Sequence, residues 1–530
     1  MTDEASTIVK LKYMSDDPGH APKDAKTLMQ GWEYEATEPL LDGPVSRRVA
    51  VIDLDPDTGA LLQGARFNPP SKERKQAFYQ VEDELNPEAR DFQQVSVFSA
   101  VMRMMELFET ADVLGRPLRW AFDGEQLLVV PRAGKMPNAF YHRDSRSLQF
   151  FFIDDPKKEG KLVYTCLSPD IVAHETTHAI LDGIAPDLYN ATSPQSLAMH
   201  EAIADVGAVM LAVKTPWLLK RIMDETGGDL TNAKAFNRIA DQFGAAIYGD
   251  DTDGNDPDHG KRPLRDLYND ITMLDSRGKD LNEPHDLSNV LSGSLYRYLI
   301  DEYEKIRGEL YELRAQPNLT DEEKTKLRFS ISGLALFKAS GKLKRIAFRA
   351  LDYLPPGEIS FADYGRAIVA ADEYSNPRDP EPRDFIKQEF QRRGIVSDGA
   401  ELGTIPPGFD LPADLDLEQL VRSDWAAYQF AERYRKELWI PGEVPFEVRP
   451  RLDVTRRTWR RGGVQTNIRA LIFKVAWQDS QFFQSGDFVR DIAVTHGTTV
   501  AIDWDSRKVS TLLTTNPDHR SQSGSSTAAN

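Results

Sequence analysis

Cysteine is almost missing: Cys166 is the single one in 530 residues, which excludes an internal disulfide framework and fits a reducing compartment. The roughly 18 consecutive apolar residues that a membrane-spanning helix needs occur nowhere in the sequence. Residues 1–30 carry charges every few positions and hold no apolar run of the secretory-leader kind. Together these absences lead to the expectation of a cytoplasmic chain, or one that leaves by a non-classical route, with no membrane partner. Positive charge is also in deficit, with 65 Lys and Arg against 83 Asp and Glu and a net charge of −18. A balance of that sign argues against general nucleic-acid binding through bulk electrostatics.

What is present is an ordinary globular mixture, 40% apolar and 28% charged, long enough for about three domains at roughly 150 residues each. Residues 1–85 read as β-rich, with a strand at 48–52 running into Asp53-Leu54-Asp55-Pro56-Asp57-Thr58-Gly59, a turn sequence whose Asp and Gly supply local hydrogen bonds and positive φ. Helical spacing of Val95, Phe98, Met102 and Met105 predicts an amphipathic helix over 91–112, and 127–130 and 148–153 read as strands. Helices dominate from 168 to about 395, two of them starting near Ser288 and Ser330. The Gly- and Pro-containing stretch at 397–412 closes a central domain of 86–396. Beyond it, a helix over 415–439 and strands at 468–475 and 498–502 make 397–515 a small α+β domain, and the Ser-rich 516–530 reads as a disordered tail. The fold class expected for the whole is α+β.

The chemistry concentrates at His174-Glu175-Thr176-Thr177-His178, an H-E-x-x-H pattern that presents both imidazoles from one face if it lies on a helix. Ser168-Pro169-Asp170 ahead of it is a helix-start signal. Two histidines leave a hydrolytic zinc one protein ligand short. Downstream, His200-Glu201-Ala202-Ile203-Ala204-Asp205 sets Glu201 and Asp205 four apart, so that Glu201 supplies the third ligand while Asp205 accepts the free N–H of a ligand histidine. Glu175 stands beside the metal position as the general base for a metal-bound water.

At these residues the sequence resembles the thermolysin-like metallopeptidases, the gluzincins whose third zinc ligand is a glutamate. The likeness runs through Asp170 to Ala179, then Asp182, Tyr189 and Glu201 to Asp205, and extends over roughly 90–395. It implies a zincin core with a β-rich amino-terminal lobe and a mostly helical carboxy-terminal lobe, Zn2+ as cofactor, a peptide or protein substrate, and endopeptidase activity. It also implies that Asn138 and Ala139, in Asn138-Ala139-Phe140-Tyr141, bind the substrate as an added strand. Tyr189 and His285 correspond to the catalytic groups that stabilise the oxyanion, Asp280 to the carboxylate orienting His285, and Arg265 to the arginine that contacts the substrate carbonyl, with Arg262 competing for that place. Ile171 corresponds to a residue lining the pocket after the scissile bond.

Departures from the pattern are visible. From His178 to Glu201 is 23 positions, a few more than the family spacing, and His200 stands where the family keeps an asparagine. The family's secretion signal and propeptide are not recognisable in this sequence, so neither is expected. The competing function is a non-catalytic binding module stabilised by a structural zinc, closed by Cys166 or His200 as a fourth ligand.

Two further signals stand apart. Asp250-Asp251-Thr252-Asp253-Gly254-Asn255-Asp256-Pro257-Asp258 is dense in hard oxygen donors, which suits Ca2+, yet it lacks the EF-hand glycine and closing glutamate and reads first as a solvated acidic loop, with Ca2+ as the alternative. Arg456-Arg457-Thr458-Trp459-Arg460-Arg461 suits RNA, an anionic substrate or, more plainly, carboxylates of its own chain. Cys166 reads as a small buried residue. Nothing in the sequence bears on oligomeric state.

Overall fold

The structure is a computed structural model that describes residues 6–16, 18, 28–83, 86–155, 159–230, 238–239, 265–274, 282–314, 320–403, 410–460, 464–485 and 488–517. The fold is mixed α+β, as expected.

Strands β1 (Thr7–Met14), β2 (Met29–Ala36), β4 (Phe67–Asn68) and β5 (Ala77–Tyr79) form a sheet in the order β2-β1-β5-β4. Val9, Leu11 and Tyr13 of β1 are buried against helix α1 (Arg90–Glu109) by the two-residue period of a half-buried strand. Two serines of α1 tie the layers together: Ser96 Oγ accepts from Met14 N at 2.9 Å, and Ser99 Oγ donates to Lys12 O at 2.8 Å. The turn read at 53–59 is present, with Asp55 Oδ1 accepting from the backbone of Asp57 and Thr58 at 3.1 and 2.8 Å.

A second sheet holds β3 (Val49–Val51), β6 (Leu127–Val130), β8 (Ser147–Phe150) and β7 (Ala139–His142), in the order β3-β6-β8-β7. Its first three strands are parallel and β7 is the antiparallel edge. Because β3 pairs with β6, one sheet spans residue 85, and a continuous apolar core runs from Val9 into the central region. The strand expected over 148–153 is broken. Thr165 takes both polar groups of Phe151, accepting from its N at 2.9 Å and donating to its O at 3.0 Å, so β9 (Phe152–Asp154) leaves the sheet to pair with β10 (Leu162–Tyr164).

Helices follow: α2 (Pro169–Ile184), α3 (Pro194–Val213) and α4 (Pro216–Thr226), then, past the short pair β11 (Arg238–Ile239) and β12 (Arg265–Asp266), α5 (Pro284–Arg314), α6 (Asp321–Arg349), α7 (Phe361–Ser375) and α8 (Glu381–Arg392). By length and composition α3 is apolar enough to cross a membrane, yet 89% of that stretch is buried within the fold, the pattern of a central core helix. It lies close against α2 at Gly207, where a Cβ would stand 2.2 Å from Thr177 Oγ1. The starts expected near Ser288 and Ser330 are displaced. Helix α5 begins at Pro284, and α6 begins behind Thr320, whose hydroxyl and the Glu323 carboxylate cap each other's backbone N–H.

The carboxy-terminal unit holds α9 (Leu417–Arg422), α10 (Asp424–Arg433), β13 (Phe446–Val448), β14 (Leu452–Arg460), β15 (Val464–Ser485), β16 (Phe488–Asp503) and β17 (Val509–Thr514). Its sheet runs β13-β15-β16-β17, with β14 also on β15. Alternation along β15 sends Leu471, Phe473, Val475 and Trp477 into a core shared with Leu420 and Phe430, and Ala470 and Ile472 into the main core. Arg456 enters that junction. It is 2% exposed and paired with the fully buried Asp352, which also holds Arg116 at 2.5 Å, so this member of the arginine-rich run serves its own chain. Asn516, expected in the tail, is buried and donates to Trp439 O at 2.9 Å; 518–530 lie outside the described residues.

Candidate metal centre

Pro169 occupies the first turn of α2, where its missing N–H costs nothing, with Ser168 extended ahead of it. From this helix His174 and His178, one turn apart, bring their Nε2 atoms to 3.0 Å with the rings at 89°. Close packing at Gly207 sets α3 so that Glu201 faces both: one carboxylate oxygen lies 3.4 Å from His174 Nε2 and the other 3.5 Å from His178 Nε2. A tetrahedral zinc with bonds of about 2.0–2.1 Å spaces its ligand atoms about 3.3–3.4 Å apart. The three observed separations bracket that value, so the donor set fits one small tetrahedral cation.

Behind the donors, His174 Nδ1 lies 3.0 Å from Asp205 Oδ1, with Asp205 fully buried on α3. This is the arrangement the sequence led us to expect, and it fixes the ring with Nε2 forward. His178 is backed differently: its Nδ1 meets His200 Nδ1 at 2.6 Å, and the two rings stack at 4.7 Å. His200 therefore engages the rear of His178 and not the point where the donors converge. Burial depresses the His200 imidazole to about 4, against the opposing pull of Glu201 and Asp182, so it is neutral at pH 7. Cys166 is buried beside Asp53 and Arg132, with its thiol pushed well up by burial, which marks it as inert.

The Glu175 carboxylate also lies within 4.8 Å of both imidazole donors. Glu175 and Glu201 are distinguished by their anchors: Glu201 gives one oxygen to each Nε2, whereas Glu175 Oε2 accepts the backbone N–H of Tyr141 on β7 at 3.0 Å. That bond turns it toward the edge strand. Tyr141 and Ala139, two apart, share the side of β7 facing away from β8, and Ala139 N donates to Asn138 Oδ1 at 2.9 Å. Asn138 is exposed and Ala139 half-buried. The edge on which a strand can be added thus runs directly past Glu175.

No family model and no curated protein sequence matches the chain. The chemistry of the site rests on its residues alone.

The rest of β7 is locked to the end of α2. Tyr141 Oη donates to Asp182 Oδ2 at 2.7 Å, Arg143 Nε donates to the same oxygen at 2.9 Å, and Arg143 reaches Pro186 O at 2.7 Å. Tyr189 joins this network. Its hydroxyl accepts Arg143 N–H at 3.2 Å, and the Arg143 guanidinium lies 4.3 Å from the centre of its ring. Because a tyrosine oxygen both accepts and donates, the phenolic proton is left to serve another acceptor.

His285 opens α5 with 59% of its side chain exposed, and its Nε2 comes 3.6 Å from Glu201 Oε2. Its Nδ1 is held by Glu283 Oε1 at 2.6 Å, while Glu283 Oε2 accepts from Asp286 N at 2.8 Å. Although burial pulls the other way, these hydrogen bonds leave the Glu283 carboxyl below its usual range. Asp280, expected in that orienting role, lies outside the described residues, as do Arg262, the side chain of Arg265 and the acidic run 250–258. Arg265 is described only as backbone, paired with Ile239.

The structure thus brings His174, His178, Glu201, Glu175 and His285 together around one point, with Asp205 behind His174, and joins Tyr189 to the neighbouring edge strand. Sequence reasoning did not find Glu283, Arg143, Tyr141 or the backing role of His200. Only Glu283 left a signal, a carboxylate at a helix start where its side chain bonds the first turn.

Proposed function

We propose that the chain is a zinc-dependent endopeptidase of the thermolysin-like type. The observation that carries this reading is the triangle of His174 Nε2, His178 Nε2 and the Glu201 carboxylate, with Glu175 poised beside an edge strand.

Zinc, when bound by His174, His178 and Glu201, supplies a Lewis acid that makes water nucleophilic near neutral pH and polarises the scissile carbonyl. The remaining work belongs to the protein. The outward edge of β7 aligns the substrate backbone as an added strand, with the Asn138 amide and Ala139 at its start. Glu175, aimed at that edge by Tyr141 N, takes the proton of the attacking water and returns it to the leaving amine. Tyr189, whose oxygen already accepts from Arg143, has its O–H to give to the developing oxyanion, and His285 offers a second donor from the opposite helix. Asp205 and Glu283 hold the imidazoles they touch in place.

The test is cleavage of a quenched-fluorescent peptide library by zinc-loaded protein, beside Glu175→Gln and a chelator-treated sample. Cleavage lost in both controls is the expected result. Stoichiometric zinc with no cleavage by the wild type would replace this reading with that of a zinc-stabilised binding module.

A further inference from the structure

We infer that the junction of the carboxy-terminal sheet with the core holds a small monovalent anion of the halide kind, bound by Arg349 at the end of α6 and Arg456 on β14. The two guanidiniums grip the same stretches of backbone. Arg349 donates from Nε to Asp112 O at 2.9 Å and from Nη2 to Arg457 O at 2.5 Å, while Arg456 donates from Nε to Leu114 O at 3.4 Å. Those stretches are themselves joined, with Arg457 N donating to Ala111 O at 2.8 Å. The side chains are therefore neighbours, and they are only 1% and 2% exposed. Each keeps its Nη1 buried with no acceptor among the described residues.

Positive charge is in surplus there as well. Asp352, fully buried, pairs with Arg456 and with Arg116, and although burial pulls the other way these two hold its carboxyl below the usual range. Arg349 spends its bonds on main-chain carbonyls and pairs with no carboxylate among the described residues. The Asp112 carboxylate near it is taken by Lys344 at 3.7 Å. Lys474 of β15 adds a buried ammonium, which burial brings down to about 8 against the pull of Asp352. Burial, and after it the charge of Arg456, lowers Arg349 to about 9, which leaves it cationic at pH 7. A water molecule at the two Nη1 groups would satisfy hydrogen bonds and leave the charge uncompensated, and an unpaired buried charge is the costlier defect. One anion answers both. A place this closed suits an ion with no organic part. Because the chain as a whole carries −18, the attraction comes from this locus and not from the field of the surface.

The assignment does not rest on the metal-site reading. Its test is thermal unfolding of the full-length protein, followed by circular dichroism in a sodium chloride series balanced with sodium gluconate to constant ionic strength. Expected is a midpoint that rises by about 3 °C or more and saturates, with sodium bromide able to replace the chloride. Arg349→Met, which keeps an unbranched side chain and removes the guanidinium, should show the same midpoint in both salts. In parallel, an anomalous-scattering map from wild-type crystals grown in sodium bromide should place bromide beside both Nη1 atoms. This map keeps the site open to refutation even if Arg349→Met does not fold. Equal midpoints in chloride and gluconate for the wild type, a chloride effect that persists in folded Arg349→Met, or a bromide map with no peak at the two guanidiniums overturns the site.

Discussion

Two buried clusters of charge in this molecule look alike in composition and differ in where their atoms point. At the junction of the carboxy-terminal sheet with the core, Arg456 and Arg116 both close on Asp352, and the strong groups are spent on one another. Around α2 and α3, the ligand-type atoms of His174, His178 and Glu201 come together across 3.0 to 3.5 Å. One carboxylate and two imidazoles at these spacings suit a cation placed among them. Burial of polar groups does not by itself mark a functional site. Convergence of metal-ligating atoms at ligand spacing is what separates the two clusters.

That contrast can be broken most sharply by Glu175→Gln, which should lower peptide turnover by roughly 10²–10⁴-fold while zinc remains bound, read by peptide kinetics and metal analysis of the same preparation. Activity within a few-fold of wild type would remove the base from the mechanism. In the structural cluster the large effect is on folding. Asp352→Asn leaves Arg116 and Arg456 buried beside a neutral amide and should cost about 3–5 kcal/mol in urea unfolding, whereas Glu201→Gln in metal-free protein should leave stability unchanged or raise it.

Acid should separate the two clusters next. His200 is depressed to about 4 in the fold from an ordinary value near 6.5, so the folded state binds fewer protons than the unfolded one. Its contribution is complete above about pH 6.5 and is lost as pH falls toward 4, amounting to about 3 kcal/mol across that window. Metal-free wild type should lose stability over this range and His200→Asn should lose much less; identical profiles would mean that His200 titrates normally. The smallest effect is expected from Glu283→Gln, which loosens His285 without touching the metal donors. It should lower kcat/KM by about tenfold or less and leave zinc affinity unchanged, and a changed zinc affinity would give Glu283 a different role.

What could be read in advance follows the range of the interactions. The spacing of His174 and His178, the proline ahead of them and the pair Glu201 and Asp205 are local patterns with one geometric outcome on a helix, and the structure places His174, His178 and Glu201 around one point with Asp205 behind His174. Glu283 left only the signal of a carboxylate at a helix start, which announces a cap for the first turn and not a partner for His285. The pairing of β3 with β6 across residue 85 and the break at Phe151 imposed by Thr165 depend on partners distant in sequence, and composition near either end carries no trace of them. His200 was read as a family departure or a spare ligand, because its direction comes from how α3 is rotated against α2.

The edge strand carries one more consequence. An unpaired strand invites the same strand of another molecule to zip onto it, and β7 is such a strand. Its outward N–H groups at Ala139 and Tyr141 are already occupied by Asn138 Oδ1 and Glu175 Oε2. The chain thus wears a removable cover made of its own side chains, which blunts self-association at the exposed edge. Any incoming peptide must lift the Asn138 oxygen away to pair there. On the proposed peptidase reading, the same cover would set a threshold for entry, so that short or poorly fitting segments would leave quickly and only those that repay the displaced bond would remain.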